Sequence, residues 1–300
     1  MVTELEEWCE RELGSGSAEV FFRADSMSSV SGVRLADGRR IALKVRTASD
    51  RVLACAQAHR TATAAGIDAP ELLAGPDQLR PGVWVSAETW RPEGSERPPG
   101  DPVAAYTELS HRLIVALAGM DPSRFAPPPP WAWYDHGSPG RVWAPAASKR
   151  WDPESPVVPG RFRRLAAAAR DRLLAETLPS VVGHSDLNGL NVRWADGPIV
   201  HDWDSLTGRP ECVLAGIVAA NHVELPGAGA IADLSGTQAA LARYQELRSF
   251  SAAEVELAWA SGVWVAAYNA AFEYLHGGAG AVAAQLDRDG AQRLRLAGCA

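Results

Sequence analysis

The first ninety residues carry short β-rich runs separated by turn residues, whereas beyond residue 103 apolar residues recur at three- and four-residue spacing. Residues 18–24, 30–35 and 40–45 read as strands, and the last two flank Ala36-Asp37-Gly38-Arg39. Asp-Gly between β-rich runs is a hairpin signal. Residues 50–65 are alanine-rich, lack glycine and proline, and stop at Gly66, which predicts one helix closed by a C-terminal glycine. Residues 70–73 and 83–89 add further strand-like runs, and a short amphipathic opening (Leu5, Trp8, Cys9, Leu13) precedes the whole. An antiparallel sheet with one main helix accounts for residues 1–90.

Residues 91–102, Arg-Pro-Glu-Gly-Ser-Glu-Arg-Pro-Pro-Gly-Asp-Pro, cannot continue a helix or a central strand and form a connector. After it, residues 103–117, 161–177, 236–248 and 252–275 read as helices, interrupted by a Pro/Trp-rich insertion at 127–151. No internal repeat is visible. The expectation is an α+β chain with a small sheet lobe over residues 1–90 and a larger, mainly helical lobe over 91–300.

Composition narrows the function classes. With 300 residues, 47% hydrophobic and 22% charged, the chain can bury a substantial core and is neither disordered nor fibrous. Its 36 acidic side chains outnumber 29 basic ones, for a formal net charge of −7. That balance argues against a nucleic-acid or membrane-surface partner and favours a cationic or metal-chelated small ligand. Four scattered cysteines without a Cys-x-x-Cys pair argue against a zinc ribbon or disulfide framework and point to reduced thiols in the cytoplasm. The acidic N-terminus and the lack of an apolar run of ~18–20 residues disfavour export and membrane spanning. Whether the protein is a monomer or a dimer is not encoded in any of these features. Lysine occurs only at Lys44 and Lys149, so each lysine invites the question why arginine would not serve.

The richest chemistry lies in Val181-Val-Gly-His-Ser-Asp-Leu-Asn-Gly-Leu-Asn-Val-Arg-Trp-Ala-Asp-Gly-Pro-Ile-Val-His-Asp-Trp-Asp. Asp196-Gly197 marks a second hairpin, and a two-residue turn there sets Trp194 opposite Ile199 and Asn191 opposite Asp202. Opposed residues hold their Cβ atoms ~4.5–5.5 Å apart on one face. An amide oxygen and a carboxylate so placed suit Mg²⁺, which takes one or two protein oxygens plus waters and substrate phosphates. Asp186, five residues before Asn191, is positioned to accept the proton of an attacking hydroxyl. In Ile41-Ala-Leu-Lys-Val, alternation puts Ile41, Leu43 and Val45 on one face and Ala42, Lys44 and Arg46 on the other. A compact ammonium there suits a phosphate in a narrow site.

The run His184-x-Asp186-x-x-x-x-Asn191 followed by Asp202-Trp203 resembles the catalytic loop and metal aspartate of the aminoglycoside phosphotransferase and choline kinase group, the small-molecule branch of the protein-kinase-like fold. Asp202-Trp203-Asp204 takes the place of Asp-Phe-Gly and no Ala-Pro-Glu follows it, which fits the small-molecule branch better than the protein kinases. The resemblance implies a bilobal fold, with Asp186 as catalytic base, His184 supporting the loop, Asn191 and Asp202 on Mg²⁺, and Lys44 on the phosphates of ATP or GTP. It also implies a loop over the triphosphate at Ser26-Met-Ser28-Ser29. Residues 85–88, with Ser86 and Glu88, become the hinge whose backbone reads the base. The implied activity is transfer of the γ-phosphoryl group to a hydroxyl of an aminoglycoside-like or other small, cationic acceptor. Choline- or homoserine-type metabolites are alternative acceptors, and nucleotide binding without turnover is the alternative from another class.

Three departures from the family pattern stand out. Residues 51–70 contain no glutamate to pair with the lysine; Gln57 is the nearest polar substitute by position, with Cys55 or His59 as alternatives. Ser185 replaces the usual glycine, and Val213 stands where an aspartate is expected after Gly208. Asp204 is either a turn residue or a substrate contact, and Glu273, one helical turn from Asn269, is a candidate acceptor contact with Glu211 and Glu224 no better distinguished. The eleven tryptophans either pack the core or wall a pocket for a sugar or ammonium group. A metallohydrolase built on His184, Asp186, His201 and Asp202 leaves Asn191 and Lys44 without work. A Ser-His-Asp nucleophile elbow needs glycine where Leu187 stands.

Overall fold

The computed structural model of the chain describes residues 2–25, 28–146, 151–227, 230–278 and 280–299. Ser26 and Lys149, singled out above, lie outside them. The chain divides into two compact units, one of Met1–Glu93 with Ile199–Asp204 and one of Gly94–Pro198 with Ser205–Ala300.

The first unit is a five-stranded antiparallel sheet in the order β1-β2-β3-β5-β4, built from β1 (Ser17–Asp25), β2 (Ser29–Leu35), β3 (Arg40–Thr47), β4 (Leu72–Arg80) and β5 (Val83–Thr89). Helix α1 (Val2–Leu13) lays Trp8 and Cys9 against Val33, Leu35, Ile41, Leu43, Val85 and Ala87, so the alternating apolar face of β2, β3 and β5 closes a dry core. Helix α2 (Asp50–Ala64) follows β3 and buries Val52, Cys55, Ala58, His59 and Ala62. The expected hairpin, helix and strands therefore all form.

The second unit is mainly helical: α3 (Pro102–Ala116), α4 (Gly160–Leu174), α5 (Glu211–Asn221), α6 (Leu234–Leu247), α7 (Ala252–Leu275) and α8 (Ala281–Leu296). Pro102 at the first turn with the Asp101 carboxylate accepting from the Val103 amide starts α3, and a Ser251/Glu254 capping box starts α7. Helix α7 is apolar almost all round and runs through the core, burying its own Trp259 and Trp264, with Trp143 packed against Trp264. Most of the tryptophans are thus packing residues. At Gly216 a Cβ would lie 1.9 Å from the Ala258 carbonyl oxygen, so glycine is what lets α5 and α7 come this close. Helices α5 and α8 are not foreseen by the pattern: ten of the eleven residues of α5 are buried, which erases the polar stripe that marks a surface helix.

Two short ribbons carry the candidate site. Strand β6 (Ser180–His184) pairs antiparallel with β9 (Leu206–Pro210), with His184 opposite Leu206. β7 (Val192–Trp194) and β8 (Pro198–Val200) make a two-stranded sheet. Their connection is three residues long rather than two, with the Ala195 amide donating to the Gly197 carbonyl. The strands end at Val192 and Val200, so neither Asn191 nor Asp202 belongs to a strand. No described helix is long and apolar enough to cross a membrane, and all four cysteines are free thiols.

Candidate active site

In the second unit, β6 delivers the chain into a tight loop. The Ser185 amide and hydroxyl both donate to the Ser205 carbonyl, at 3.0 and 2.8 Å, and the Trp131 indole donates to the Ser185 hydroxyl at 3.0 Å. Serine in place of glycine therefore clamps the loop to the segment following it, a role invisible in the sequence. His184 is buried, and its Nδ1 accepts from the Asp186 amide at 3.1 Å. At Gly189 a Cβ would lie 2.5 Å from the Leu225 side chain and 2.8 Å from the Glu96 carbonyl, so the loop admits no side chain there.

The Asp186 carboxylate is half-buried and held by two amides. Asn188 Nδ2 donates to Oδ1 at 2.8 Å, and Asn191 Nδ2 donates to Oδ2 at 2.7 Å and to the Asp186 carbonyl at 2.9 Å. Amide donors fix a carboxylate's orientation without neutralising it, which a general base requires. Because Asn191 turns its nitrogen to Asp186, its oxygen is the end left to meet a cation. Asn188 also donates to the Glu224 carboxylate at 3.2 Å. Burial, reinforced by Asp186 and Glu273, pushes the Glu224 carboxyl up to about 8. Asn188 and the link to Glu224 were missed by sequence reasoning; a polar residue between Leu187 and Leu190 was the only signal. Glu273 was expected to face an acceptor. Its two oxygens accept from the Ala281 and Val282 amides at 2.9 and 3.1 Å and so serve the start of α8.

The first unit holds the other candidate residues. Lys44 and Glu88 form a buried ion pair, Nζ to Oε2 3.2 Å. Burial disfavours the ammonium, but Glu88, Asp204 and Asp202 outweigh it and Arg46, and the Lys44 pKa is raised. Ser86 and Glu88 sit inside β5, whose backbone is laddered to β3 on one side and β4 on the other. Residues 85–88 thus lie within a strand, with Val85 and Ala87 in the core. Ser86 accepts from Arg46, and Ser29, at the start of β2, donates to the Asp25 carboxylate while Ser28 is half-buried beside it. His59 stacks flat on Trp203 at 4.5 Å, and Gln57 is exposed on α2.

Asp202 is the one non-glycine residue with positive φ among the described residues, at 53°. Such a backbone is tolerated best by Asp and Asn and concentrates at functional sites. Asp204 is buried in the short turn Trp203–Ser205, where its Oδ1 pairs with Arg46 and its carbonyl accepts from Arg51. Burial would raise its pKa, but Arg46, Lys44 and Arg51 together lower it. Its Oδ2 is buried without a hydrogen-bond partner among the described residues, two positions from Asp202. Hard oxygen donors of this kind fit Mg²⁺. No cluster of three or more His, Cys, Asp or Glu capable of holding a metal occurs among the described residues.

No protein-family model matches the chain, and no curated protein matches it by sequence. Solved structures do. The amicoumacin kinase hAmiN, solved with AMP-PNP, Ca²⁺ and Ami, superposes with a TM-score of 0.64 at 14% identity over 98% of this chain and 96% of that one. Spectinomycin phosphotransferase APH(9)-Ia, solved with ADP and spectinomycin, gives 0.59 at 11% identity over 99% and 94%. A putative fructosamine-3-kinase from Thermobifida fusca gives 0.51 at 17% identity over the full length of both chains. At such identities the likeness establishes the fold: that of the protein-kinase-like small-molecule phosphotransferases.

Proposed function

We propose that this chain is a phosphotransferase that moves the γ-phosphoryl group of ATP or GTP, as the Mg²⁺ complex, to a hydroxyl of a small molecule. The observation that carries the reading is the Asp186 carboxylate, oriented by Asn188 and Asn191 on a clamped loop, in a chain with the fold of small-molecule kinases. Asp186 accepts the proton of the acceptor hydroxyl as its oxygen bonds to the γ-phosphorus and the bond to the β,γ-bridging oxygen breaks, releasing the nucleoside diphosphate. Lys44 binds phosphate oxygens. By the resemblance, Asn191 and Asp202 are the residues that would hold Mg²⁺, which would supply charge neutralisation on the phosphates. The remaining catalytic power is positioning.

An amino-sugar-like acceptor is the favoured class. The Asp186 carboxylate and the net charge of −7 both suit a cationic molecule, and a cation bound beside Glu224 would favour the ionised form of that acid as well. The test is nucleoside-diphosphate release from Mg-ATP and Mg-GTP across a panel of amino sugars, choline, homoserine and nucleosides. Acceptor-dependent release is expected with at least one amino sugar, falling about 10²–10⁴-fold in Asp186→Asn. Binding of Mg-ATP without acceptor-dependent release across the panel sinks the enzyme reading in favour of nucleotide binding without turnover. Unchanged turnover in Asp186→Asn removes the assigned base.

A further inference from the structure

The one acid of helix α2, Asp50 in its first turn, is not among the charges that act on Lys44, which are Glu88, Asp204, Asp202 and Arg46. Cys55 is buried with its thiol pushed up to about 12, His59 is stacked on Trp203, and Gln57 is exposed. The carboxylate beside the lysine comes instead from the adjacent strand. β5 runs antiparallel to β3 with Lys44 opposite Ser86 and Ala42 opposite Glu88. Glu88 is therefore two residues along from the direct partner of Lys44, on the same face of the sheet, at the diagonal distance that long side chains span. The side chains are 8% and 6% exposed, and an ammonium so far from water requires a partner. One of its three N–H donors pointed at Glu88 leaves the others for an anion.

We propose that Glu88 is the positioning residue that holds Lys44 for the nucleotide phosphates, a strand carboxylate in place of the helix glutamate that kinases of this fold otherwise use. The inference rests on the phosphate role assigned to Lys44 above. Its physical basis is the continuous β3–β5 ladder from Ile41↔Thr89 to Thr47↔Val83, which fixes the two side chains relative to each other within one sheet. The lysine is then oriented without any adjustment of α2. A helix-borne partner ties the lysine to the position of the helix; this one does not.

The experiment is calorimetric titration of the full chain with Mg-ATP, alongside thermal melts. Glu88→Gln should weaken binding about 10–100-fold, the loss expected for a hydrogen bond to a charged group. Glu88→Asp, which keeps the charge on a shorter stem, should recover part of that loss and carries the test if the glutamine variant does not fold. In a Lys44→Met background Glu88→Gln should add no further loss, because nothing remains to be positioned. Gln57→Ala should bind as the wild type does. A merely structural Glu88 would lower the melting temperature while leaving the Mg-ATP Kd in place, with no dependence on Lys44. Equal Kd values for wild type and Glu88→Gln, with Lys44→Met weakened, overturn the positioning role alone. Wild type that fails to bind Mg-ATP, or Lys44→Met that binds as well as wild type, overturns the function on which it rests.

Discussion

Asp204 in the first unit and Glu224 in the second are both withdrawn from water, and their environments push them in opposite directions. Asp204 is met by Arg46, Lys44 and Arg51 and stays ionised despite its burial. Glu224 has no described cation against it, only the Asn188 amide and two further acids, and its carboxyl is displaced to about 8. The first unit thus pairs its charges within and beside a sheet, while the second orients an acid-rich loop with neutral amides. Under the proposed function the contrast corresponds to two jobs: a fixed cation for phosphates, and a carboxylate that must stay basic enough to accept a proton.

The largest effect should come from Arg46→Met, which leaves Asp204 buried without its guanidinium. We expect about 3–5 kcal/mol less stability by urea unfolding at pH 7. In the wild type the contribution of Asp204 is present above its ordinary value of 3.8 and is lost as pH falls through the depressed folded value. In Arg46→Met that acid limb should begin at higher pH; an unchanged limb would mean that Arg46 is not what keeps Asp204 ionised.

Glu224 has the opposite signature. Its folded value near 8 exceeds its ordinary 4.5, so the folded chain holds a proton that the unfolded chain releases. The stability tied to it is present below 4.5 and is lost as pH rises towards 8. Glu224→Gln keeps an acceptor for Asn188 and removes the titration. Its unfolding free energy should pull ahead of the wild type across that window, by up to about 1.4 kcal/mol per pH unit, and its melting temperature with it. Parallel melting curves from pH 5 to 8 would erase the contrast between the two acids. The smallest effect belongs to Glu273→Gln, which should lower stability by about 0.3–1 kcal/mol through the start of α8. A large loss of acceptor turnover in that variant would return Glu273 to the site where sequence reasoning put it.

What the sequence revealed and what it hid follow from the range of the interactions. The candidate loop could be read from the sequence because His184, Asp186 and Asn191 lie within one contiguous stretch whose hydrogen bonds are local. Lys44 was legible through scarcity. Its partner was not, since Glu88 reaches it only through a strand register that pairs residues far apart in the chain, and the same acid was assigned to a hinge. The bond of Ser185 to Ser205 and that of Asn188 to Glu224 are long-range in the same way. Helix α5 escaped because burial on all sides removes the periodicity by which helices are recognised.

The segment Ile199–Asp204 belongs with the sheet although more than a hundred residues of helical unit separate it from Glu93 in the chain. It supplies Trp203, on which His59 stacks, and Asp204, on which Arg46 and Arg51 converge. During synthesis the sheet emerges first yet lacks these groups until about two-thirds of the chain has left the ribosome, so nascent Arg46 waits without its counter-ion. A fragment cut at residue 93 would carry the same deficit permanently. The sheet unit is thus first in order of translation and among the last to be completed.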